Sequence, residues 1–187
     1  MERFLPLAPE QMTQAQLNVA ESIASGPRGS LEGPFKTWLR SPELADRLQK
    51  VGEYIRFHSS LPKRLNEFAI LIVAREWQAS FEWFIHEPAA VAADLASSIT
   101  GQLRDGNRPD GMRDDETLVY DFCTQLLRQH QVSDAMYEAA VGRFGEQGVV
   151  DLIGAVGYYS TVAMTLNVAQ VMPPGGEPAI PPPSVPG

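Results

Sequence analysis

Apolar residues recur at helical spacing along most of the chain. Residues three and four apart lie on the same side of a helix. The segment after Leu61-Pro62 shows this spacing most clearly, and its apolar face consists of Leu65, Phe68, Ala69, Ile72 and Val73. No segment shows the persuasive alternation of apolar and polar residues that is typical of a strand. The pattern predicts an all-α protein.

Capping residues and a proline predict where the first helices begin and end. Thr13 with Gln16 resembles a capping box, which opens a helix that we expect to end near Gly26. Ser41-Pro42-Glu43 combines a cap residue, a proline at the first helical position and an acid in the first turn. It predicts a helix that runs to about His58.

Loop-forming and acidic residues divide the second half of the chain. Glycine, proline, asparagine and aspartate are dense in residues 100–111, which predicts a loop. Asp114-Asp115-Glu116 places negative charge at the start of a helix through about Gln131. Ser133-Asp134 caps another helix, which is expected to close at Gly145.

The C-terminal part of the chain combines an apolar helix with a proline-rich tail. The helix is predicted from about Gln147 to Val171, and it is apolar on every side, which is typical of a helix buried in a core or a subunit interface. Its uncharged run, residues 152–166, is short for a membrane span. The tail, residues 173–187, is expected to be extended and to lie along a neighbouring surface. We therefore expect one domain over residues 1–172, followed by this tail.

Composition excludes several kinds of partner. The 187 residues carry a formal net charge of −8, which argues against nucleic acid and against an anionic membrane surface. The single cysteine, Cys123, cannot form an intrachain disulfide and fits a reducing cytoplasm. The N-terminus lacks the basic and apolar regions of a secretory signal. We therefore expect a cytoplasmic protein.

The segment from Arg75 to His86 places two acids and one imidazole among aromatic rings. Glu82 and His86 are four residues apart and share a helix face. Aromatic surroundings exclude water and move carboxyl and imidazole pKa values toward neutrality, where proton transfer is efficient. Glu82 could orient His86, or it could form a merely structural ion pair with Arg75. Pro88, just beyond, predicts a kink or a boundary, and two ligands are too few for a metal site.

Other candidate residues have simple structural interpretations. Glu67 looks exposed by patterning, and the usual fate of such a residue is a solvated helix face. Phe35 and Trp38 follow a Gly-rich loop and could either shape it or wall a pocket. Tyr158 and Tyr159 are most simply packing residues, although one hydroxyl could reach a pocket.

Taken together, these motifs resemble the carboxymuconolactone decarboxylase family, which shares its fold with the alkylhydroperoxidase AhpD proteins. The similar core motifs are Glu67, Ala74-Arg75-Glu76-Trp77, Phe81-Glu82-Trp83-Phe84-Ile85-His86 and Ala90. Motifs similar to a longer, decarboxylase-like branch are Gly26-Pro27-Arg28-Gly29, Gly33-Pro34-Phe35, Ser41-Pro42-Glu43-Leu44-Ala45, Val119-Tyr120-Asp121-Phe122 and Gly157-Tyr158-Tyr159 through Met164-Thr165-Leu166-Asn167. The resemblance extends to Pro173. It implies an AhpD-like helical domain that assembles into homo-trimers or homo-hexamers.

The same resemblance excludes one activity of the superfamily. The AhpD branch carries a glutamate, a Cys-x-x-Cys pair and a histidine. When that histidine is aligned on His86, the cysteine positions fall on Ala79 and Glu82 and the glutamate falls on Glu67. Both thiols are missing, so disulfide-based peroxide reduction is excluded. A relay of glutamate and histidine remains, with Glu82 in place of a thiol.

The resemblance implies a cofactor-independent, decarboxylase-like lyase in the catabolism of aromatic compounds. Its substrate would be a small unsaturated lactone or cyclic carboxylic acid. Loss of carbon dioxide leaves an enolate, so no metal or organic cofactor is needed. We expect His86 to donate a proton or a hydrogen bond, Glu82 to orient His86, and Glu67 to complete the relay.

Substrate contacts and two alternative functions stay open. The expected substrate-binding residues are Arg75, Trp83, Phe35, Trp38 and Arg28, and Arg40 is a further candidate for pairing with a carboxylate. The same relay could instead perform isomerisation or lactone hydrolysis. The protein could also be a silent oligomer that binds a small apolar ligand. An enzyme predicts that Glu67, Glu82 and His86 converge in a closed cavity with an arginine nearby.

Overall fold

A computed structural model describes residues 2–27 and 29–181 of the chain, and over these residues the protein is all-helical, as predicted. The expected substrate contact of Arg28 lies outside the described residues. A short 3₁₀ turn, Pro9–Gln11, comes first. Eight α-helices follow within the described ranges: α1 Gln14–Ser25, α2 Phe35–Trp38, α3 Pro42–Phe57, α4 Lys63–Glu76, α5 Ser80–Ala92, α6 Ser97–Arg104, α7 Asp114–Gln129 and α8 Asp134–Ala169.

Several predicted boundaries are confirmed. α1 begins at the expected capping box, in which the Thr13 N–H donates to Gln16 Oε1 at 2.8 Å. α3 begins at Pro42. Within α8, helical geometry is interrupted at Gly145, where φ is 71°. Glycine reaches this φ without steric penalty, so the predicted end of one helix and start of the next fall at this residue.

One prediction about the middle of the chain is wrong. Residues 97–104 form α6, whereas a loop was expected from Thr100 onward. Ile99, Thr100 and Leu103 are buried at helical spacing, and this packing outweighs the glycine between them. Of the kink or boundary that Pro88 predicts, the boundary is excluded, because α5 continues to Ala92. The short helix α2 has no counterpart among the predicted elements.

α4 is the central helix of the fold. All ten residues from Leu65 to Ala74 are buried, and α4 packs against α5, α7 and α8. Glu67 is therefore not on a solvated face, and that expectation is wrong. A helix surrounded by other helices buries every side, so polar residues such as Asn66 and Glu67 are enclosed along with the apolar ones.

The C-terminal helix and the tail also pack on the domain. Among the described residues, α8 is the one helix that is long and apolar enough to cross a membrane, but 56% of its most apolar window is buried inside the fold. This burial is compatible with the core helix of a soluble protein. In the tail, Ile180 is buried, and its N–H donates to Ser80 Oγ at 3.3 Å. The described part of the tail thus packs against the chain's own core.

Candidate active site

A tight turn between α4 and α5 brings Glu67 to His86. The turn spans residues 77–79, with Gln78 at a φ of 54° and the Ala79 N–H donating to the Ala74 carbonyl at 2.8 Å. α5 packs along α4 as a result. Nδ1 of His86 and Oε2 of Glu67 are 2.7 Å apart, and both residues are less than 5% exposed, at 4% and 1%. With the carboxylate as acceptor, Nδ1 carries a proton, and Nε2 becomes the nitrogen that exchanges a proton.

Glu82 is a buried carboxyl group without a hydrogen-bond partner. Its residue is 2% exposed, and neither carboxyl oxygen has a partner among the described residues. Burial raises the pKa of Glu82 well above its ordinary value, because a low-dielectric environment disfavours the charged form. The environment therefore favours a protonated, neutral Glu82. His86 is paired with Glu67, whereas the sequence led us to expect Glu82 in that position.

Glu82 and His86 both line a cavity of about 110 Å³. Its mouth includes the exposed residues Ser30, Glu32 and Ile85, and its interior is buried. The lining residues come from the loop before α2 and from α2, α3, α5 and α8. They are Ser30, Glu32, Gly33, Pro34, Phe35, Arg56, Phe81, Glu82, Ile85, His86, Tyr158, Tyr159, Val162 and Leu166.

Tyr159 adds a phenol beside the imidazole. The Tyr159 and His86 rings meet edge to face, with 5.0 Å between their centroids. Burial raises the pKa of Tyr159 well above its ordinary value, and the negative charges that Tyr158, Glu67 and Glu82 can carry raise it further. The phenol therefore keeps its proton and can donate a hydrogen bond. Both Tyr158 and Tyr159 line the cavity. The sequence left open whether a tyrosine hydroxyl reaches a pocket.

Arg56 is a charged residue of the cavity that no sequence pattern indicated. It lies in the last turn of α3 and is half-buried. Its guanidinium carbon is 5.5 Å from the centre of the Phe57 ring, and it enters no ion pair within the described ranges. It lies close enough to Tyr159 to lower the pKa of that phenol, against the larger effect of burial. Nothing in the sequence distinguishes Arg56 from Arg47, the exposed arginine of the same helix.

The expected aromatic contacts are only partly in the cavity. Phe35 lines it. Trp38 does not, and its ring packs edge-on against Phe35 and Tyr158 at centroid distances of 5.5 Å and 6.2 Å. The Trp38 Nε1–H donates to Thr165 Oγ1 at 2.9 Å. Trp83 is fully buried in the core and also lies outside the lining. Trp38 therefore supports the cavity wall from behind, whereas Trp83 is a core residue.

Two of the arginines proposed from the sequence, Arg75 and Arg40, lie elsewhere. Arg75 lines a different cavity near the end of α4. Arg40 donates to the Lys36 and Leu5 carbonyls, each at 2.6 Å. Neither is among the residues that line the Glu82 cavity. Of the arginines within the described ranges, Arg56 alone lines that cavity.

Thiol and metal chemistry find little support in the geometry. Cys123 is buried away from the cavity, and burial raises the pKa of its thiol, which is typical of an unreactive core cysteine. Within residues 2–27 and 29–181, no group of three or more His, Cys, Asp or Glu side chains is placed to hold a metal ion.

The chain matches no family model, and no curated protein matches it significantly. The resemblance to carboxymuconolactone decarboxylases thus rests on the motifs alone, and it stays a prediction.

Proposed function

We propose that this protein is a cofactor-independent, decarboxylase-like lyase that acts on a small unsaturated lactone or cyclic carboxylic acid. One observation carries the proposal: the same cavity holds an imidazole paired with Glu67, the unpartnered carboxyl group of Glu82, and the guanidinium of Arg56. A silent binder of apolar ligands needs none of these groups. The proposal includes membership of the carboxymuconolactone decarboxylase family, an AhpD-like fold and a cytoplasmic location.

In the proposed reaction, Arg56, Glu82 and His86 each have a separate role. Arg56 pairs with a substrate carboxylate that is retained, because binding the departing carboxylate would stabilise the ground state instead of the transition state. The bond from carbon to the other carboxylate breaks, carbon dioxide leaves, and the electron pair passes to the conjugated carbonyl. Protonated Glu82 donates a hydrogen bond to the enolate oxygen. His86, after taking a proton from solvent at Nε2, delivers that proton to carbon.

The first test is a decarboxylation screen with a matched pair of histidine variants. Wild-type protein should release carbon dioxide from at least one of a panel of lactone acids. His86→Ala should lower kcat about 100-fold or more, because general acid–base catalysis contributes about that much. His58→Ala is the control, since His58 is exposed at the end of α3, and it should keep full activity.

The other outcomes of this screen separate the alternatives. Full activity in folded His86→Ala would contradict the assignment of His86. An isomerised or hydrolysed product without carbon dioxide would assign the same groups to another proton-transfer reaction. A ligand that binds without turnover would identify a silent binder.

Arg56 gives a second, independent prediction. Arg56→Gln should raise KM for the retained carboxylate about 10- to 100-fold and leave kcat nearly unchanged, because a charge-assisted hydrogen bond contributes to binding. Arg47→Gln is the control, since Arg47 is an exposed residue of the same helix. An unchanged KM for Arg56→Gln would remove Arg56 from substrate binding.

Self-association is also part of the proposal. Val51 on α3 and Val150, Ile153 and Val168 on α8 are large apolar residues that are exposed in one chain. α3 and α8 are neighbours, since the Tyr54 hydroxyl donates to Asp151 at 3.0 Å. Such a surface supports a homo-trimer or homo-hexamer.

Ile153→Glu should dissociate this assembly, because it places a charge in the proposed interface. Light scattering coupled to size-exclusion chromatography measures the mass, which should fall toward that of one chain. Val91→Glu, an exposed position on α5, is the control and should leave the mass unchanged. A monomeric wild-type protein would contradict self-association.

A further inference from the structure

A second cavity lies near the C-terminal end of α4. Its volume is about 290 Å³, and it shares no lining residue with the cavity of Glu82 and His86. α4, α6, the loop after α6 and α7 contribute its walls. Its charged residues are Arg75, Arg128 and Glu76. The lining therefore carries one more positive charge than negative charge.

Arg75 provides the unbalanced charge. Arg128 and Glu76 form an ion pair, in which Arg128 Nη2 lies 3.0 Å from Glu76 Oε2. Arg75 enters no ion pair within the described ranges, and its Nε is buried without a hydrogen-bond partner. A buried donor without an acceptor is unfavourable. The cavity thus presents a guanidinium that has no acceptor among the described residues.

The loop after α6 passes close to this guanidinium. Gly106 has a φ of +87°, and a Cβ at this position would lie 2.6 Å from Arg75 Nη2. Only glycine combines this conformation with such a close approach. Asn107 and Thr124 line the same cavity and add neutral polar groups.

We propose that the Arg75 cavity binds a small oxyanion, either a phosphate group or a carboxylate, at a site separate from the Glu82–His86 cavity. Guanidinium presents paired N–H donors that match two oxygens of either group. This site does not depend on the proposed lyase activity.

Isothermal titration of the full chain with inorganic phosphate, and separately with succinate, tests the site at matched ionic strength. We expect saturable binding of at least one of these ions at one site per chain. Arg75→Gln should weaken that binding at least about tenfold, because charge-assisted hydrogen bonds are lost. Gly106→Ala should weaken it too. Tighter binding of phosphate would indicate phosphate esters as ligands, and tighter binding of succinate would indicate carboxylic acids.

Arg104→Gln is the matched control. It removes the same charge from a nearby exposed residue outside the cavity, and it should bind the ion as wild type does. If Arg75→Gln does not fold, Arg75→Lys serves instead, since it keeps the charge but loses the paired donors.

Two results would overturn the proposal. The first is no saturable binding of either ion; if an Arg75 variant then alters the oligomeric mass, the guanidinium contacts a second copy of the chain instead. The second is binding that neither the Arg75 variant nor Gly106→Ala changes.

Discussion

Glu82→Gln is expected to make the protein more stable at neutral pH and to remove most of its activity. The pKa of Glu82 is raised in the folded chain by burial, from an ordinary value of 4.5. At a pH below that value, Glu82 is protonated in both the folded and the unfolded chain, so its ionisation does not affect the free energy of unfolding. At higher pH the unfolded chain loses its proton while the folded chain keeps it. The free energy of unfolding then falls by about 1.4 kcal/mol per pH unit until the folded-state pKa is reached.

Glutamine cannot ionise, so the variant should escape this loss. Urea unfolding between pH 4 and pH 8 measures the effect: the stability of Glu82→Gln relative to wild type should increase with pH. Glu138→Gln, at an exposed position of α8, is the control and should show no such trend. A stability difference that does not depend on pH would mean that Glu82 ionises normally in the folded protein.

The same variant should lower kcat about 100-fold, because an amide is a much weaker donor than a carboxylic acid to a developing enolate oxygen. The substrate from the decarboxylation screen is used for this measurement. When a functional group destabilises the fold, replacing it typically raises stability and lowers activity. Retained activity would leave Glu82 as a buried acid without a role in the reaction.

Asp151 shows what a buried structural carboxylate looks like in the same protein. Burial raises its pKa, but hydrogen bonds from Ser60, Tyr54 and Ser59 lower it more, so the net pKa lies below its ordinary value. Asp151 therefore stabilises the fold at neutral pH, and this contribution is lost only as the pH falls through its lowered pKa. Both carboxyl groups are buried, but over the part of the chain that the structure describes only Glu82 of the two lacks donors. That difference sets Glu82 apart as a candidate for chemistry.

Local signals predicted much of the fold. The capping box at Thr13 and the proline at the start of α3 each rest on a few adjacent residues, and both are confirmed. The burial of Glu67 could not be predicted, because it depends on helices that surround α4 on all sides. Periodicity assigns one buried face to a helix and cannot anticipate complete enclosure.

Only part of the candidate site was predictable from residue spacing, and its pairings were not. Four-residue spacing correctly placed Glu82 and His86 toward one cavity. The hydrogen bond to His86 comes from Glu67 on another helix, and spacing along one helix carries no information about such a partner. No sequence pattern indicated Arg56. It reaches the cavity because tertiary packing brings the end of α3 close to α5 and α8.

Arg64→Met is expected to lower the free energy of unfolding by about 3–5 kcal/mol, because it leaves a buried carboxylate without its cation. Arg64 lies at the start of α4 and pairs with Asp115 at 2.9 Å and with Glu116, both at the start of α7. Only 1% of the Glu116 side chain is exposed. Its other oxygen accepts the Arg113 N–H at 2.7 Å, which does not replace a positive charge.

Urea unfolding at neutral pH measures this loss, and two variants serve as controls. Arg143→Met removes an exposed arginine that also contacts Asp115 at 3.2 Å, and it should change stability by at most about 1 kcal/mol. Adding Glu116→Gln to Arg64→Met should recover much of the loss, because a neutral amide replaces the unpaired charge. A loss below about 1 kcal/mol for Arg64→Met would contradict the buried-pair interpretation.

Activity separates this structural role from a catalytic one. Arg64 precedes Glu67 by less than one helical turn but does not line the cavity of Glu82 and His86. Arg64→Met should therefore lose activity only in proportion to the unfolded fraction, and kcat per folded molecule should stay unchanged at low temperature. A reduced kcat in fully folded Arg64→Met would show that the ion pairs between α4 and α7 also hold Glu67 in position for His86.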